Sequence, residues 1–531
     1  MKRNINFVLL ISSLVLIMGA CQKTLEKDYL NPELTTNGSI GKLFSGMLLN
    51  NRIHSSYWDY YTFNFTATGT YSQMHATSPS DQMYIPNPDY MSSRWTDYYA
   101  GSMTNNSPDY NYSGPGILSN YSEMEKTYAT LSSADQKDNE VFLKVANVIV
   151  ADQTSQLIDL WGDVPFFQSN SLNKDRSVTN APFDDAAIVY DTLLLRLNEL
   201  NDYFDTANLS QVALSGLKQQ DLIYNGNLDN WRRYTNSLRL RLLMRLSFVD
   251  EAKVKPLVMA MLANPSKYPL LDDNQYNAQL KMSPTNLNSD VQGAIGLAPY
   301  APAYLLDTVM QANNDPRLPV FWSKNKSGEY KGFPSNGTAA QYTAAATARS
   351  LSTFDSSTFI YNYNIPGVLF NAAETDFLKA EAFERWGGGD ASVAYYAGIE
   401  QSISFYFGIN QSHILKSLSW NTLPNPNSAA ISAYKAKADI AYTGSHEQRL
   451  RKIWTQKWEH FFILQAQQAW AEIRRTGYPK LPIYRTSFSG GELPPSRLLY
   501  PQSEAQYNAS NYSKVADKDK RDTKVFWDVQ N

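Results

Sequence analysis

Apolar positions recur along much of this chain with the three-to-four-residue spacing of one helix face, most clearly in six segments. Over 138–162 the stripe is Val141, Val145, Val148 and Ile149, and the helix is expected to stop at WGDVP, because Pro165 disfavours helix at the residue before it. Residues 184–203 carry Ala187, Tyr190, Leu194 and Leu197 behind Asp184 as N-cap, and 229–250 carries Trp231, Tyr234, Leu238 and Leu242. Segments 372–386 and 390–407 meet at Gly387-Gly388-Gly389 and predict a helical hairpin. Its second member spaces Ala391, Tyr395, Ile399 and Ile403 by four, and the small Ala380, Ala382 and Ala391 allow close approach. The hairpin has the size of a tetratricopeptide repeat without its full consensus. The sixth segment, 447–475, predicts one helix with Ile453, Trp454, Trp458, Phe461 and Phe462 inside it, ended by GYP. Between these stripes lie aromatic, Asn/Ser/Pro-rich stretches at 51–120, 264–370 and 476–531, read as long irregular loops. The pattern predicts a helical scaffold with large irregular loops, and no Pro/Gly/Ser linker divides 41–531 into separate domains.

The N-terminus has a different pattern. Lys2 and Arg3 precede an apolar run from Phe7 to Met18, too short to span a bilayer, so residues 1–20 read as a signal peptide. The run ends in Ile17-Met18-Gly19-Ala20-Cys21, which resembles a bacterial lipobox with Met where Leu is usual. Cys21 is the only cysteine of 531 residues, which excludes an intramolecular disulfide and makes lipidation its expected role. The polar stretch that follows, 21–40, suits a tether.

Composition narrows the function. Removing Lys2 and Arg3 takes the net charge from −3 to −5, which argues against a nucleic-acid partner. Charged residues make up 18% and aromatics 13%, with 35 Tyr, so neutral polar and aromatic groups must cover much of the surface; that suits carbohydrate or peptide contact. No HExxH, GxSxG, P-loop or dinucleotide-binding pattern occurs, and the five histidines, His54, His75, His413, His446 and His460, are scattered. A glycoside hydrolase built on two carboxylates distant in sequence would leave no local motif. Neither a cofactor nor a metal is expected.

Several longer pieces carry a resemblance: YLNPE behind the lipobox, LWGDVPF at 160–166, WRRYTNSLRLRLLMRLS at 231–247, NDPRLP at 314–319 followed by EYKGFP, FLKAEAFERWG at 377–387, QKWEHFFILQAQQAWAEIRRTGYPKL at 456–481 and LPPSRLLYPQSEAQYN at 493–508. In order and spacing the chain resembles the SusD/RagB-type nutrient-binding lipoproteins, nearest their second SusD-like subfamily. The resemblance implies an all-α fold of four tetratricopeptide-like helix pairs forming an alpha-alpha superhelix, with the irregular segments as the ligand face. It implies an outer-membrane, surface-exposed location and a SusC-like TonB-dependent transporter as partner. The expected ligand is an oligosaccharide or polysaccharide, with a peptide as the alternative within the family; a structural or adhesive surface lipoprotein is a further alternative.

Within those motifs the arginines Arg239, Arg241 and Arg245, and the tryptophans on helical stripes, are expected to be structural. Ligand candidates are aromatics in the non-periodic stretches, where a pyranose C–H face can stack: Trp58, Tyr84, Tyr90, Trp95 and Trp322. WTDYYAG also reads as a helix start that would turn Trp95 inward.

Overall fold

The computed structural model describes residues 39–54, 56–102, 114–174, 177, 180–282, 291–413, 422–484 and 493–530. The signal peptide, Cys21 and nearly all of the tether lie outside them. About 59% of the chain is helical, and the strands are short pairs, so the all-α expectation holds. The principal helices are α1 (Pro88–Tyr99), α2 (Ser133–Trp161), α3 (Ala186–Thr206), α4 (Leu228–Arg245), α5 (Ala372–Trp386), α6 (Ala391–Gln411), α7 (His446–Phe461) and α8 (Ala466–Thr476).

Local chemistry sets most of their ends. The Ser132 hydroxyl accepts from Asp135 N at the start of α2, and α2 stops at Gly162, whose φ of 78° an L-residue rarely adopts; the stop comes before Pro165 can act. The N-cap of α3 is Asp185, not Asp184. Asp184 instead accepts from the backbone N–H groups of Phe166 and Phe167, tying the WGDVPF turn to the helix start. Helix α4 begins at Leu228 behind Asn227 and ends at Arg245, short of the expected 250. The predicted hairpin forms as α5 and α6, with Gly387 and Gly388 in the left-handed region at the turn. Gly398 allows the close approach between them, since a Cβ there would lie 2.8 Å from the Phe377 ring.

The expected single helix over 447–475 is two. Its chain reverses at Phe462, a non-glycine residue with φ 41°, and resumes as α8 after one 3₁₀ turn. No Gly or Pro marks the break. It is compensated by tertiary packing, because the Phe462 ring stacks on Phe321 at 4.1 Å and 12°.

The three stretches read as irregular loops also hold regular structure. Region 51–120 contains α1 and a π-helical stretch, Tyr60–Thr68, and ends in the first turn of the helix Ile117–Ala129; 264–370 contains a second π-helical stretch, Tyr304–Gln311, and the helix Ala339–Ala348. Region 476–531 holds the short helices Gln502–Tyr507 and Ala509–Tyr512 and is pinned to the end of α2. The Trp161 indole donates to Leu499 O, Leu498 N to Leu160 O, and the Trp527 indole to Asp159.

Two apolar cores result, one around α2, α3 and α4 and one around α5, α6, α7 and the second π-helical stretch. Where they meet, buried charges are paired. Arg241 forms a bidentate pair with Glu374 (2.6 Å on both bonds) and reaches Asp152 at 3.2 Å; Arg245 holds Glu472 at 2.5 Å; Arg475 grips Glu381 and Glu472; Lys457 lies 2.5 Å from Glu472. The arginines of WRRYTNSLRLRLLMRLS are therefore structural, as their sequence context suggested. Burial of Arg241, Arg245 and Arg475 at this cost in desolvation is tolerated because each has carboxylate partners, while Arg239 lies over the Tyr268 ring at 5.8 Å.

Candidate functional site

The sequence candidates divide by burial. Tyr84 is buried, its hydroxyl accepts from Tyr484 N at 3.1 Å, and burial pushes its pKa up to about 12. Trp322 is buried in the second core, stacked on Phe354 at 4.7 Å, and Trp95 is buried against Trp161 and Tyr500. Tyr84 and Trp322 present no open face to a ligand. The absence of helical periodicity around them concealed their inward orientation, and Trp95 faces inward because α1 starts at Asn87-Pro88, well before WTDYYAG.

Trp58 and Tyr90 remain half-exposed, and the fold brings them together. Their rings meet edge to face at 6.3 Å, and two further half-exposed rings complete the group: Tyr61 lies 6.0 Å from each, and Tyr57 stacks on Tyr61 at 5.8 Å and 18°. Tyr61 and Tyr90 also share a side-chain hydrogen bond, which raises the Tyr90 pKa. Tyr57 and Tyr61 were missed from the sequence. The available signal was their spacing of four, with Trp58 three before Tyr61, which puts all of them on one side of a helical turn.

The platform is built on a stiff base. Ser56 accepts from Asp59 N to start the turn that carries Tyr57 and Trp58, and the chain then widens into the π-helical stretch bearing Tyr61. The Trp58 indole donates to Ser93 Oγ of α1 at 3.4 Å, and the Arg94 guanidinium of α1 pairs with Asp59 at 2.9 Å while lying over the Phe63 ring. Arg52 braces the same corner, donating to Arg94 O at 2.7 Å and to Gln153 of α2 at 3.0 Å. Burial, then the charge of Arg94, lowers the Arg52 pKa to about 9, and burial raises that of Asp59 against the pull of Arg94. These two polar segments are thus locked at the crossing that sets the ring spacing. Gly293 approaches from the other side, where a Cβ would meet the Tyr57 ring at 3.3 Å.

The remaining polar groups of interest are structural. His460 is buried between Ser402 (2.9 Å) and Asn371 (2.6 Å), and burial lowers its pKa to about 3. Among the described residues no group of three or more His, Cys, Asp or Glu could hold a metal, and no helix is long and apolar enough to cross a membrane.

A helical body with two apolar cores and a half-exposed aromatic cluster at one surface is of the SusD type. The match that carries this is to the family model SusD-like, described as starch-binding associating with outer membrane, over residues 42–501; the chain belongs to this family. Solved structures agree on the fold. A chitin-binding protein superposes with a TM-score of 0.72 at 21% identity, covering 92% of this chain and 100% of its own. A SusD homologue from Bacteroides fragilis gives 0.71 at 21% identity (92% and 99% covered), and one from Parabacteroides distasonis 0.71 at 20% (92% and 98%). No curated protein sequence matches significantly.

Proposed function

We propose that this protein captures glycan at the cell surface and delivers it to a SusC-like TonB-dependent transporter in the outer membrane, anchored through lipid on Cys21. The observation that carries the glycan reading is the platform of Tyr57, Trp58, Tyr61 and Tyr90 on a scaffold of this family. Pyranose C–H faces stack on such rings, and hydroxyls of Tyr61 and Tyr90 can bond sugar hydroxyls. No chemistry on the ligand is required. Holding the ligand above a barrel raises its local concentration there, and a lipid tether keeps the body near its partner without fixing its orientation.

Glycan-array and peptide-library screening of the mature chain, followed by titration of the best ligand, tests the reading. Trp58→Ala should weaken glycan binding by about tenfold, in keeping with a stacking contribution of about 1 kcal/mol or more. Unchanged affinity in both Trp58→Ala and Tyr61→Ala would move the site elsewhere, and exclusive binding of peptides would replace the glycan. Delivery is tested separately by co-purification: a protein that never associates with a TonB-dependent barrel is not a transporter lid. Turnover of a bound polysaccharide, read as release of reducing ends, would refute a binding-only role.

A further inference from the structure

At the opposite end of α1 from Tyr90 lies a cleft of about 320 Å³, formed by the C-terminal turn of α1, the segment after Pro165 and the short helix Gln502–Tyr507. Its volume falls at the small end of the range for small-molecule sites. Tyr90 and Tyr99 are nine residues apart on one helix, about 13 Å along its axis, so this cleft is distinct from the platform.

The cleft has fixed walls. Asn180 Nδ2 donates to Tyr507 O at 3.0 Å and Asn508 Nδ2 to Ala181 O at 2.9 Å, which cross-link its two sides, while the Tyr99 hydroxyl donates to Pro165 O at 2.7 Å. The Tyr507 ring stands at the rim, 76% exposed. Inside is Glu504, held by the Asn508 amide at 3.1 Å and by the Trp95 indole N–H. A carboxylate offers about four lone-pair sites, so two such bonds leave about half its accepting capacity unused. Among the described residues Glu504 has no ion pair and no Lys or Arg lines the cleft, and burial raises the Glu504 pKa. Asn170, with φ 60°, adds an amide whose Nδ2 has no hydrogen-bond partner.

A carboxylate with no ion pair among the described residues, one spare amide and a flat exposed ring match a neutral, hydroxyl-rich ligand and disfavour an anion. We propose that this cleft is a second saccharide subsite, in which vicinal hydroxyls of one pyranose donate to Glu504 while its C–H face lies on Tyr507. The assignment rests on the glycan reading above, and its test separates the two.

The mature chain is titrated calorimetrically with maltoheptaose and with chitohexaose. The wild type should show two sites per chain for the oligosaccharide it binds. Trp58→Ala should retain the weaker one, which Tyr507→Ala and Glu504→Ala should each weaken by about tenfold. Tyr507 is exposed, so its replacement leaves folding intact, and circular dichroism checks this for Glu504→Ala. A single site abolished by Trp58→Ala and untouched by the two cleft variants overturns the subsite and leaves the proposed function standing. Failure of the wild type to bind either oligosaccharide or any glycan of the array overturns both, whereas a cleft that takes only peptide amines overturns the subsite alone.

Discussion

Glu374→Ala should be among the most damaging single changes in this protein, although it lies far from any ligand. Glu374 and Arg241 are both almost completely buried, and removing the carboxylate deletes two 2.6 Å charge-assisted bonds. Arg241 then keeps Asp152 at 3.2 Å and Leu369 O at 3.1 Å, a poorer set for a guanidinium held out of water. Breaking one member of such a pair costs about 3–5 kcal/mol. With an unfolding entropy of ~2.1 cal/mol/K per residue over about 500 residues, 1 kcal/mol corresponds to about 1 °C, so Tm should fall by about 3–5 °C if unfolding is cooperative. The control is Asp191→Ala, which breaks the half-exposed pair with Lys253 and should cost at most about 1 kcal/mol. The triple variant Asp152→Asn/Arg241→Met/Glu374→Leu should lose less than the single Glu374→Ala, because neither a guanidinium nor the Asp152 carboxylate is left stranded. Differential scanning calorimetry reads all three. A Glu374→Ala shift no larger than that of Asp191→Ala, or a triple variant that loses more than Glu374→Ala, would refute the view that the two cores are joined through paired charge.

Other outcomes follow from the same structure. His460 and His75 have folded pKa values lowered by burial to about 3 and about 4, against about 6.5 unfolded, so the unfolded chain binds more protons below pH 6.5. Their contribution to stability is full above pH 6.5 and is lost as pH falls toward those values; denaturant melts should show this, and His460→Asn should flatten the decline. Gly398→Ala would put a Cβ 2.8 Å from the buried Phe377 ring and should cost about 1–3 kcal/mol in urea unfolding, with a null effect showing that the α5–α6 contact is slack. Tyr84→Ala should lower Tm and leave ligand affinity unchanged, whereas Trp58→Ala should do the reverse; affinity loss in Tyr84→Ala at unchanged stability would return Tyr84 to the site. The proposed lipid anchor, which rests on the sequence alone, makes a separate prediction: Cys21→Ser should move the protein from the membrane to the soluble fraction and abolish palmitate labelling, and unchanged fractionation would refute the anchor.

Repetition along the chain is what made the helices legible. The stripes of α3 and α6 are visible because each of these helices buries mainly one face, whereas α2 from Val148, α4 from Tyr234 and the first half of α5 are buried all round; caps such as Asp390 are ordinary N-cap residues. Family motifs carried the fold further than periodicity, since LWGDVPF and NDPRLP are turns whose value lies in distant contacts. Arg317 of NDPRLP, for example, is buried against Asp315 and Glu459, the latter 142 residues further on.

The sequence alone determined the helical class, the family, the structural role of the arginine-rich helix and the expectation of a lipid anchor, because local spacing and ordered motifs encode them. Tertiary structure decided which aromatics face outward. Tyr84, Trp322 and Trp58 sit in similar polar, aromatic sequence, and only packing against Tyr484, Phe354 and α1, respectively, separates two buried rings from one left at the surface. It also broke 447–475 at Phe462, where stacking on Phe321 offsets a backbone conformation no local signal announced. Orientation in non-periodic segments is a long-range property, set by what the rest of the chain leaves uncovered.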